Sequence, residues 1–367
     1  MELNAKSVSI SVIVLLLALV AQRLRKFRSI LDYDRIIYQH APGPCKFVEP
    51  IAAGSEDIAL IKDGQAFITS GVKVSASEAE VYSKAKGRVF LFDFHKALEP
   101  ARPVLIEGNF NVDNFAPHGI ATWTEKESGQ LIVFIVNHPI GSSEDTLERF
   151  LWDKKRKILT HNKTITNRQF SLINSIAPTG PNSFYATNAQ YTKSEWSRSL
   201  ETNLLLPWGQ VLFYDGTDVT VAASGFNFPN GIALSPDGRF VHLAVSHDKE
   251  IVSFVVQKEF ELEEIGRTYL GTMPDNVKVD GAGDVWVGSL PVAGKALEHS
   301  TDPNLQVPSL VLRLRMYQGQ VTKIESVYEE DGSKLSASTC AVYYNRGMLI
   351  GSVHSRLLYC EVYYLEP

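Results

Sequence analysis

One pattern recurs six times along the chain and limits its fold more than any other feature of the sequence. Each copy has two small or polar residues, an apolar run, a turn and a second apolar run. The clearest copy, NGIALSPDGRFVHLAV, has Pro-Asp-Gly as its turn. The copies lie 45 to 64 residues apart and begin at Glu56, His118, Asn174, Asn230, Asp275 and Thr339.

The turn in each copy has the composition of a β-hairpin. Asp-Gly, Ser-Gly and Gly-Ala-Gly supply tight turns, and the flanking Val, Ile, Phe, Tyr and Trp favour strands. A repeat of about 50 residues with several short strands is typical of one propeller blade. The sequence therefore predicts an all-β, six-bladed β-propeller that occupies residues 29–367 as a single domain.

The first residue of each copy is expected to face the central tunnel, because the innermost strand of every blade lines it. Carboxylate or amide side chains occupy four of these six positions, and Asn276 adds a fifth: Glu56, Asn174, Asn230, Asp275 and Asn276. Two carboxylates and three amide carbonyls match the hard, flexible coordination that Ca²⁺ prefers. Any one asparagine would equally fit a turn cap, but the recurrence favours a tunnel calcium. No Cys/His cluster has the spacing of a zinc site.

Charge and motifs argue against two other classes of protein. The formal net charge of −5 leaves no basic surplus for binding nucleic acid. A Gly-x-Ser-x-Gly nucleophile elbow does not occur, so a serine hydrolase of that type is not favoured.

Residues 1–28 are predicted to form an uncleaved signal anchor that attaches the protein to a membrane. Residues 8–21 are uncharged and apolar, and the basic residues Arg23, Arg25, Lys26 and Arg28 follow them. The orientation stays open. The positive-inside rule would hold the body in the cytosol, whereas the cysteines favour the secretory pathway, at the ER or extracellular face.

The chain has three cysteines, and two of them, Cys45 and Cys360, bracket almost the whole body. A bridge between these two would join the chain ends in one blade and would require an oxidising compartment. Three unpaired buried thiols would fit the same spacing. The Asn-Lys-Thr sequon predicts glycosylation at Asn162, in keeping with a secreted body.

Several longer stretches resemble the serum paraoxonase/arylesterase family, over roughly Cys45 to Val362. The matching stretches are GSEDIALI, FITSG, APHGIAT, VNHP, FNFPNGIALSPDG, DNVKVD, DVWVG and LLYCEV. The resemblance implies a six-bladed propeller with two tunnel calcium ions and a disulfide between Cys45 and Cys360. It also implies hydrolysis of lactones and aryl esters.

Residue by residue, the resemblance makes the five oxygen-bearing residues ligands of a catalytic calcium. His118 and His138 would form a catalytic dyad. Asp57 and the backbone carbonyl of Ile120 would bind a second, structural calcium. The family has an aspartate where this chain has Ser175, so this second site is expected to be weakened, completed by water or empty.

The predicted activity is calcium-dependent hydrolysis of a small ester or lactone, in which His118 takes a proton from water and His138 acts as its relay. Two alternatives stay open. One is a non-hydrolytic cyclase or isomerase on the same propeller, and the other is a non-catalytic, calcium-stabilised binding propeller. The departures from the family at Ser175, Ala189 and Gln190 keep the cyclase or isomerase open, whereas the five intact ligands and both histidines count against the binding propeller.

A short helix is predicted after Ser194, with one apolar face and with Pro207-Trp208-Gly209 beyond its end. Its apolar face would contain Trp196, Leu200, Leu204 and Leu205. On the rim of a propeller such a helix would line a substrate pocket, lie on a membrane or pack into the core.

Overall fold

The computed structural model describes residues 5–73, 80, 85–142, 144–302 and 304–363, with side chains from residue 9 onward. Six sheets follow one another around a central tunnel, which confirms the predicted six-bladed β-propeller. Five of the six repeat copies begin at the second or third residue of the innermost strand of a blade, and the copy at Glu56 begins two residues before β2. The innermost strands of adjacent blades pack against one another.

The first three blades follow the order of the chain. Blade 1 contains β2 (Ile58–Ile61), β3 (Gln65–Ser70), β4 (Arg88–Asp93) and β5 (Arg102–Pro103). Blade 2 contains β6 (Leu105–Glu107), β7 (Pro117–Thr124), β8 (Leu131–Asn137), β9 (Thr146–Asp153) and β10 (Ile158–Ile165). Blade 3 contains β11 (Ile173–Pro178), β12 (Phe184–Asn188), β13 (Gly209–Tyr214) and β14 (Val219–Phe226).

The last three blades complete the ring. Blade 4 contains β15 (Pro229–Leu234), β16 (Phe240–Val245), β17 (Glu250–Val256) and β18 (Leu262–Tyr269). Blade 5 contains β19 (Met273–Val279), β20 (Val285–Leu290), β21 (Ser309–Tyr317) and β22 (Gln320–Glu330). Blade 6 contains β1 (Cys45–Phe47), β23 (Ser338–Tyr344), β24 (Gly347–Ser352) and β25 (Leu358–Glu361). Pairing is antiparallel throughout these sheets except between β6 and β10.

Blade 6 closes the ring because it takes its outermost strand from the beginning of the body. The strand β1 pairs with β25 so that Cys45 lies directly opposite Cys360. These two cysteines form a disulfide across 315 residues of chain, which confirms the pairing that the family resemblance implied. The third cysteine, Cys340, is buried as a free thiol.

The hydrophobic core lies between the blades. Six clusters of buried apolar side chains each join two consecutive blades within the described residues. Phe67 of blade 1 packs edge-on against Trp152 of blade 2, with ring centroids 4.9 Å apart. Trp286 of blade 5 stacks on Tyr343 of blade 6 at 5.1 Å. The core thus fixes each innermost strand relative to its neighbours, and with it the side chains that face the tunnel.

A β-bulge interrupts the innermost strand of blades 2 to 5 at the same place. In β15, for example, Pro229 pairs with Val245 and Ile232 with Leu243, so two residues oppose only one on β16. The registers of β7, β11 and β19 shift in the same way. A bulge re-aims side chains where regular pairing would alternate them. The bulged pairs are His118-Gly119, Asn174-Ser175, Asn230-Gly231 and Asp275-Asn276.

Two of the bulged residues are glycines because the next blade comes very close. A Cβ at Gly231 would lie 2.3 Å from the backbone nitrogen of Val277 and 2.6 Å from the Cα of Asn276. A Cβ at Gly119 would lie 2.3 Å from the carbonyl oxygen of Asn174. Both distances are far below van der Waals contact, so only glycine fits.

Three helices lie outside the sheets of the described chain. They are α1 (Ala5–Ile30), α2 (Glu195–Asn203) and α3 (Ala293–His299). α2 confirms the helix predicted after Ser194, whose side chain caps its first turn by accepting from the Ser197 N–H. Trp196 on α2 is 74% exposed, whereas Leu205 beyond its end is buried.

The helix α1 lies against the propeller through polar contacts. Lys26 lies 3.6 Å from Asp248, and the Arg23 guanidinium donates to the carbonyl of Leu205 at 3.5 Å. Among the described residues, no helix reaches the combination of length and hydropathy required to cross a bilayer. The signal anchor at residues 1–28 stays a prediction.

Replacing Gly231 by alanine should destabilise the propeller, because its new methyl group would collide with the backbone of β19. We expect a loss of about 3 kcal/mol in the free energy of unfolding, at the upper end of overpacking effects. Chemical denaturation of the wild type, Gly231→Ala and the control Gly266→Ala measures the free energy of unfolding of each. A Cβ at Gly266 on β18 meets nothing within 4 Å, so the control should keep wild-type stability. Equal stability of the two variants would contradict the close approach.

Candidate active site

Three bulges, in β11, β15 and β19, and the segment before β2 bring the five predicted calcium ligands together at one end of the tunnel. All five side chains are buried: Glu56, Asn174, Asn230, Asp275 and Asn276. The Asn276 amide donates to both the carboxylate and the backbone carbonyl of Glu56, each at 3.1 Å. The Asn230 side chain lies beside Asp275 and partly offsets the rise in the pKa of that carboxyl group. Residues from blades 1, 3, 4 and 5 therefore form one polar centre.

The three asparagines leave oxygen atoms without donors in this centre. The side-chain oxygens of Asn174, Asn230 and Asn276 are buried and accept no hydrogen bond. A buried acceptor without a partner costs about 1–3 kcal/mol, and three in one place call for a shared ligand. A cation satisfies them all, so the residues present fit a bound calcium ion.

The charge of the centre points in the same direction. Burial, reinforced by the negative charge of the nearby Glu56, raises the pKa of Asp275 well above its ordinary value. Two buried carboxylates side by side need a positive partner to be ionised together. Within the described part of the chain, no three His, Cys, Asp or Glu side chains converge as a metal cluster. The centre instead combines two carboxylates with amide oxygens.

His118 and His138 are in direct contact, as expected for a dyad. The Nδ1 atom of His118 lies 2.8 Å from the Nε2 atom of His138. His118 Nε2 faces the oxygen-rich centre, 3.3 Å from the Glu56 carboxylate and 3.4 Å from the Asn174 amide nitrogen. Both rings are buried.

Asp145 extends the dyad and was not predicted. Its Oδ1 atom lies 2.7 Å from His138 Nδ1, and its Oδ2 atom accepts the backbone N–H of Ile173 at 2.7 Å. The sequence contains the signal for this contact. His138 follows β8, Asp145 precedes β9, and the residues at these strand ends, Asn137 and Thr146, pair. Because Asn137 and Thr146 pair across the hairpin, the residues just beyond them, His138 and Asp145, lie side by side.

The carboxylate fixes the protonation pattern of the histidine chain. Because an ionised Asp145 only accepts, His138 carries its proton on Nδ1 and offers a lone pair at Nε2. His118 must then donate from Nδ1, which leaves its own Nε2 as a lone pair directed at the centre. The arrangement can accept a proton at His118 Nε2 and stabilise the resulting charge through His138 and Asp145.

The residues predicted for a second calcium are also close together, but an ammonium group lies among them. Lys278 Nζ lies 2.8 Å from Asp57 Oδ2 and donates to the carbonyl of Ile120 at 3.2 Å. The Asp57 carboxylate also accepts the backbone N–H groups of Ile58 and Ile120. With Ser175 in place of a carboxylate, these residues do not fit a second calcium ion.

A cavity of about 450 Å³ occupies the opposite end of the tunnel. Later residues of the innermost strands line it, among them Ile120, Ile176, Ile232 and Lys278. None of the five candidate ligands borders this cavity. The polar centre and the cavity therefore mark the two ends of one tunnel, with Lys278 at the inner edge of the cavity.

Fold and site together define a six-bladed propeller with a buried, oxygen-rich centre beside a histidine pair. The family model described as "Arylesterase" matches residues 38–362. The chain is 34% identical to "Serum paraoxonase/arylesterase 2" of Gallus gallus, over 94% of this chain and 96% of the relative. It is also 34% identical to "Serum paraoxonase/lactonase 3" of Rattus norvegicus, over 97% and 99%.

The chain belongs to the arylesterase family, and it is an ester hydrolase. Solved structures with much lower identity share the fold. A regucalcin from Agrobacterium tumefaciens, described as a calcium-binding protein, is 13% identical with a TM-score of 0.53, over 90% of this chain and 99% of that one. A luciferin-regenerating enzyme is 9% identical with a TM-score of 0.54, over 87% and 95%.

Proposed function

We propose that the protein hydrolyses lactones and aryl esters at the polar end of its tunnel, with one calcium ion held by Glu56, Asn174, Asn230, Asp275 and Asn276. The observation that carries this proposal is the set of three buried asparagine oxygens without donors, gathered around two carboxylates. The full-length relatives named for arylesterase and lactonase activity support the substrate class.

The bound calcium would polarise the ester carbonyl as a Lewis acid and stabilise the negative charge that develops on its oxygen. His118 Nε2 accepts a proton from the attacking water, since this atom faces the same centre. The imidazolium keeps its Nδ1 hydrogen bond to His138, and its Nε2 proton passes to the leaving alkoxide or phenoxide oxygen as the acyl C–O bond breaks and the carboxylic acid forms. Glu56, 3.3 Å from His118 Nε2, favours the protonated ring.

Asp145 is a positioning residue in this mechanism because it touches His138 rather than the reacting atoms. Its negative charge holds His138 in the tautomer that accepts from His118 and compensates the charge of the protonated pair. The backbone N–H of Ile173 fixes the carboxylate in place.

We further propose that the body folds in an oxidising compartment of the secretory pathway and is glycosylated at Asn162. The Cys45–Cys360 disulfide supports the compartment. Asn162 is exposed on β10, where the register with β9 shifts. Attachment to a membrane through residues 1–28 belongs to the same proposal.

Removing calcium should abolish hydrolysis of phenyl acetate and of a lactone panel. We expect a loss of roughly 100-fold or more after chelation, because Lewis-acid stabilisation of the transition state contributes several kcal/mol. Adding Ca²⁺ back should restore activity. Steady-state rates and elemental analysis of the same samples measure both quantities.

A variant of one proposed ligand tests whether the calcium that supports activity is bound in the tunnel. Asp275→Asn should weaken calcium binding by about 10-fold or more, because one of the two carboxylates is lost. Asp218→Asn, on an exposed turn of blade 3, is the matched control and should bind as the wild type does. Activity that survives complete removal of the metal would refute the proposed mechanism.

Asp145→Asn should lower kcat by about 10-fold or more with little change in KM, because general-base catalysis loses its oriented histidine pair. Asp145→Glu should recover part of the lost rate. Glu144→Gln alters an exposed carboxylate in the same loop and serves as the control. Calcium content should stay unchanged in all three variants. An unaltered kcat in Asp145→Asn would remove Asp145 from the mechanism.

A further inference from the structure

Next to the polar centre the tunnel contains a third buried carboxylate, Asp57, and its cation comes from the chain itself. The Asp57 side chain is fully buried, and the Lys278 side chain is 15% exposed. Lys278 follows Asn276 by two residues on β19, and both side chains reach the segment before β2, Asn276 at Glu56 and Lys278 at Asp57. From there Lys278 reaches Asp57 on blade 1 and the Ile120 carbonyl on blade 2.

Lys278 thereby ties three blades together. It belongs to blade 5 and contacts a carboxylate before β2 and a carbonyl of β7. A metal ion at this site would have to bind the Asp57 carboxylate and the Ile120 carbonyl. The Lys278 ammonium group already contacts both oxygens, so it occupies the position that the metal ion would take. An isolated buried carboxylate costs several kcal/mol, so the site requires one cation and does not accommodate two.

Ser175 is the second residue that sets the charge of this site, because it is neutral. It lies on the neighbouring strand β11, where a Cβ at Gly119 would come within 2.9 Å of the Ser175 Cα. Its hydroxyl oxygen is buried and makes no hydrogen bond. A carboxylate at this position would add a second negative charge next to Asp57. With serine there, one lysine is enough to balance the site.

We propose that the Lys278 ammonium is the permanent structural cation of the tunnel, so that the protein takes no metal ion at Asp57. This inference does not depend on the proposed catalytic calcium, because that ion would be held by other residues, at the polar end of the tunnel. It predicts that the full chain binds at most one calcium ion. It also predicts that the contacts of Lys278 between blades 1, 2 and 5 persist when a chelator removes metal ions.

The first test removes the ammonium group. Lys278→Met keeps the length of the side chain and leaves Asp57 buried without a cation, which should lower Tm by roughly 5 °C or more. Lys126→Met is the matched control, because Lys126 borders the same cavity but is exposed. Thermal unfolding in the presence of a chelator measures both. Equal Tm values for the two variants would overturn the proposal.

The second test exchanges lysine for metal. In the double variant Lys278→Ser/Ser175→Asp, two carboxylates face a site without the ammonium group. We expect one more bound calcium per chain than in the wild type, and a Tm that rises with Ca²⁺ and falls with chelator. A folded double variant that gains no calcium would count against the proposal.

The wild-type calcium count separates this inference from the proposed function. Two ions per full chain would overturn the role of Lys278 while agreeing with the catalytic calcium. No bound ion would remove the catalytic calcium and leave Lys278 as the tunnel's cation. One ion agrees with both. The wild-type count and the Lys278→Met comparison decide the question even if the double variant does not fold.

Discussion

The polar centre of this propeller depends on one distortion of its backbone, a bulge that recurs in four blades. In four blades, two residues of the innermost strand oppose one residue of the next strand, and the two-residue bulge falls at the same height in the tunnel. A regular strand would send one of each pair away from the axis. The bulges allow Asn174, Asn230, Asp275 and Asn276 to gather at one end. They also require glycine at positions 119 and 231, where adjacent blades nearly touch.

Buried charge then sets what each level of the tunnel can hold. At the polar end, Glu56 and Asp275 lie among amide oxygens that have no donors, an arrangement that an external cation would complete. One level further in, Asp57 already has Lys278 as its partner. The same tunnel therefore contains two acidic levels with opposite requirements. The difference arises from one lysine two residues after Asn276 and from a serine at position 175.

Much of the fold follows from the sequence because hairpin chemistry is local. The turn composition and the spacing of the copies predict six blades, and the tunnel position of their first residues follows from the topology. The contacts of Asp145 and Lys278 are harder to predict, since they depend on how close two strand ends come and on which blade a long side chain reaches. Gln190 illustrates the limit. Its amide donates to Thr202 and to the carbonyl of Arg198, so it holds α2 rather than reaching the centre.

The closure of blade 6 by β1 also determines when the centre can exist during synthesis. Glu56 and Asn276 are separated by 220 residues, and the strand that completes the ring, β25, ends only at Glu361. A ribosome-bound chain therefore lacks the finished tunnel until residues 358–361 have been made. Any product that terminates early lacks the strand carrying Cys360 and leaves the ring open. The polar centre in this architecture is thus a property of the closed ring alone, since Glu56 and Asn276 meet only across that closure.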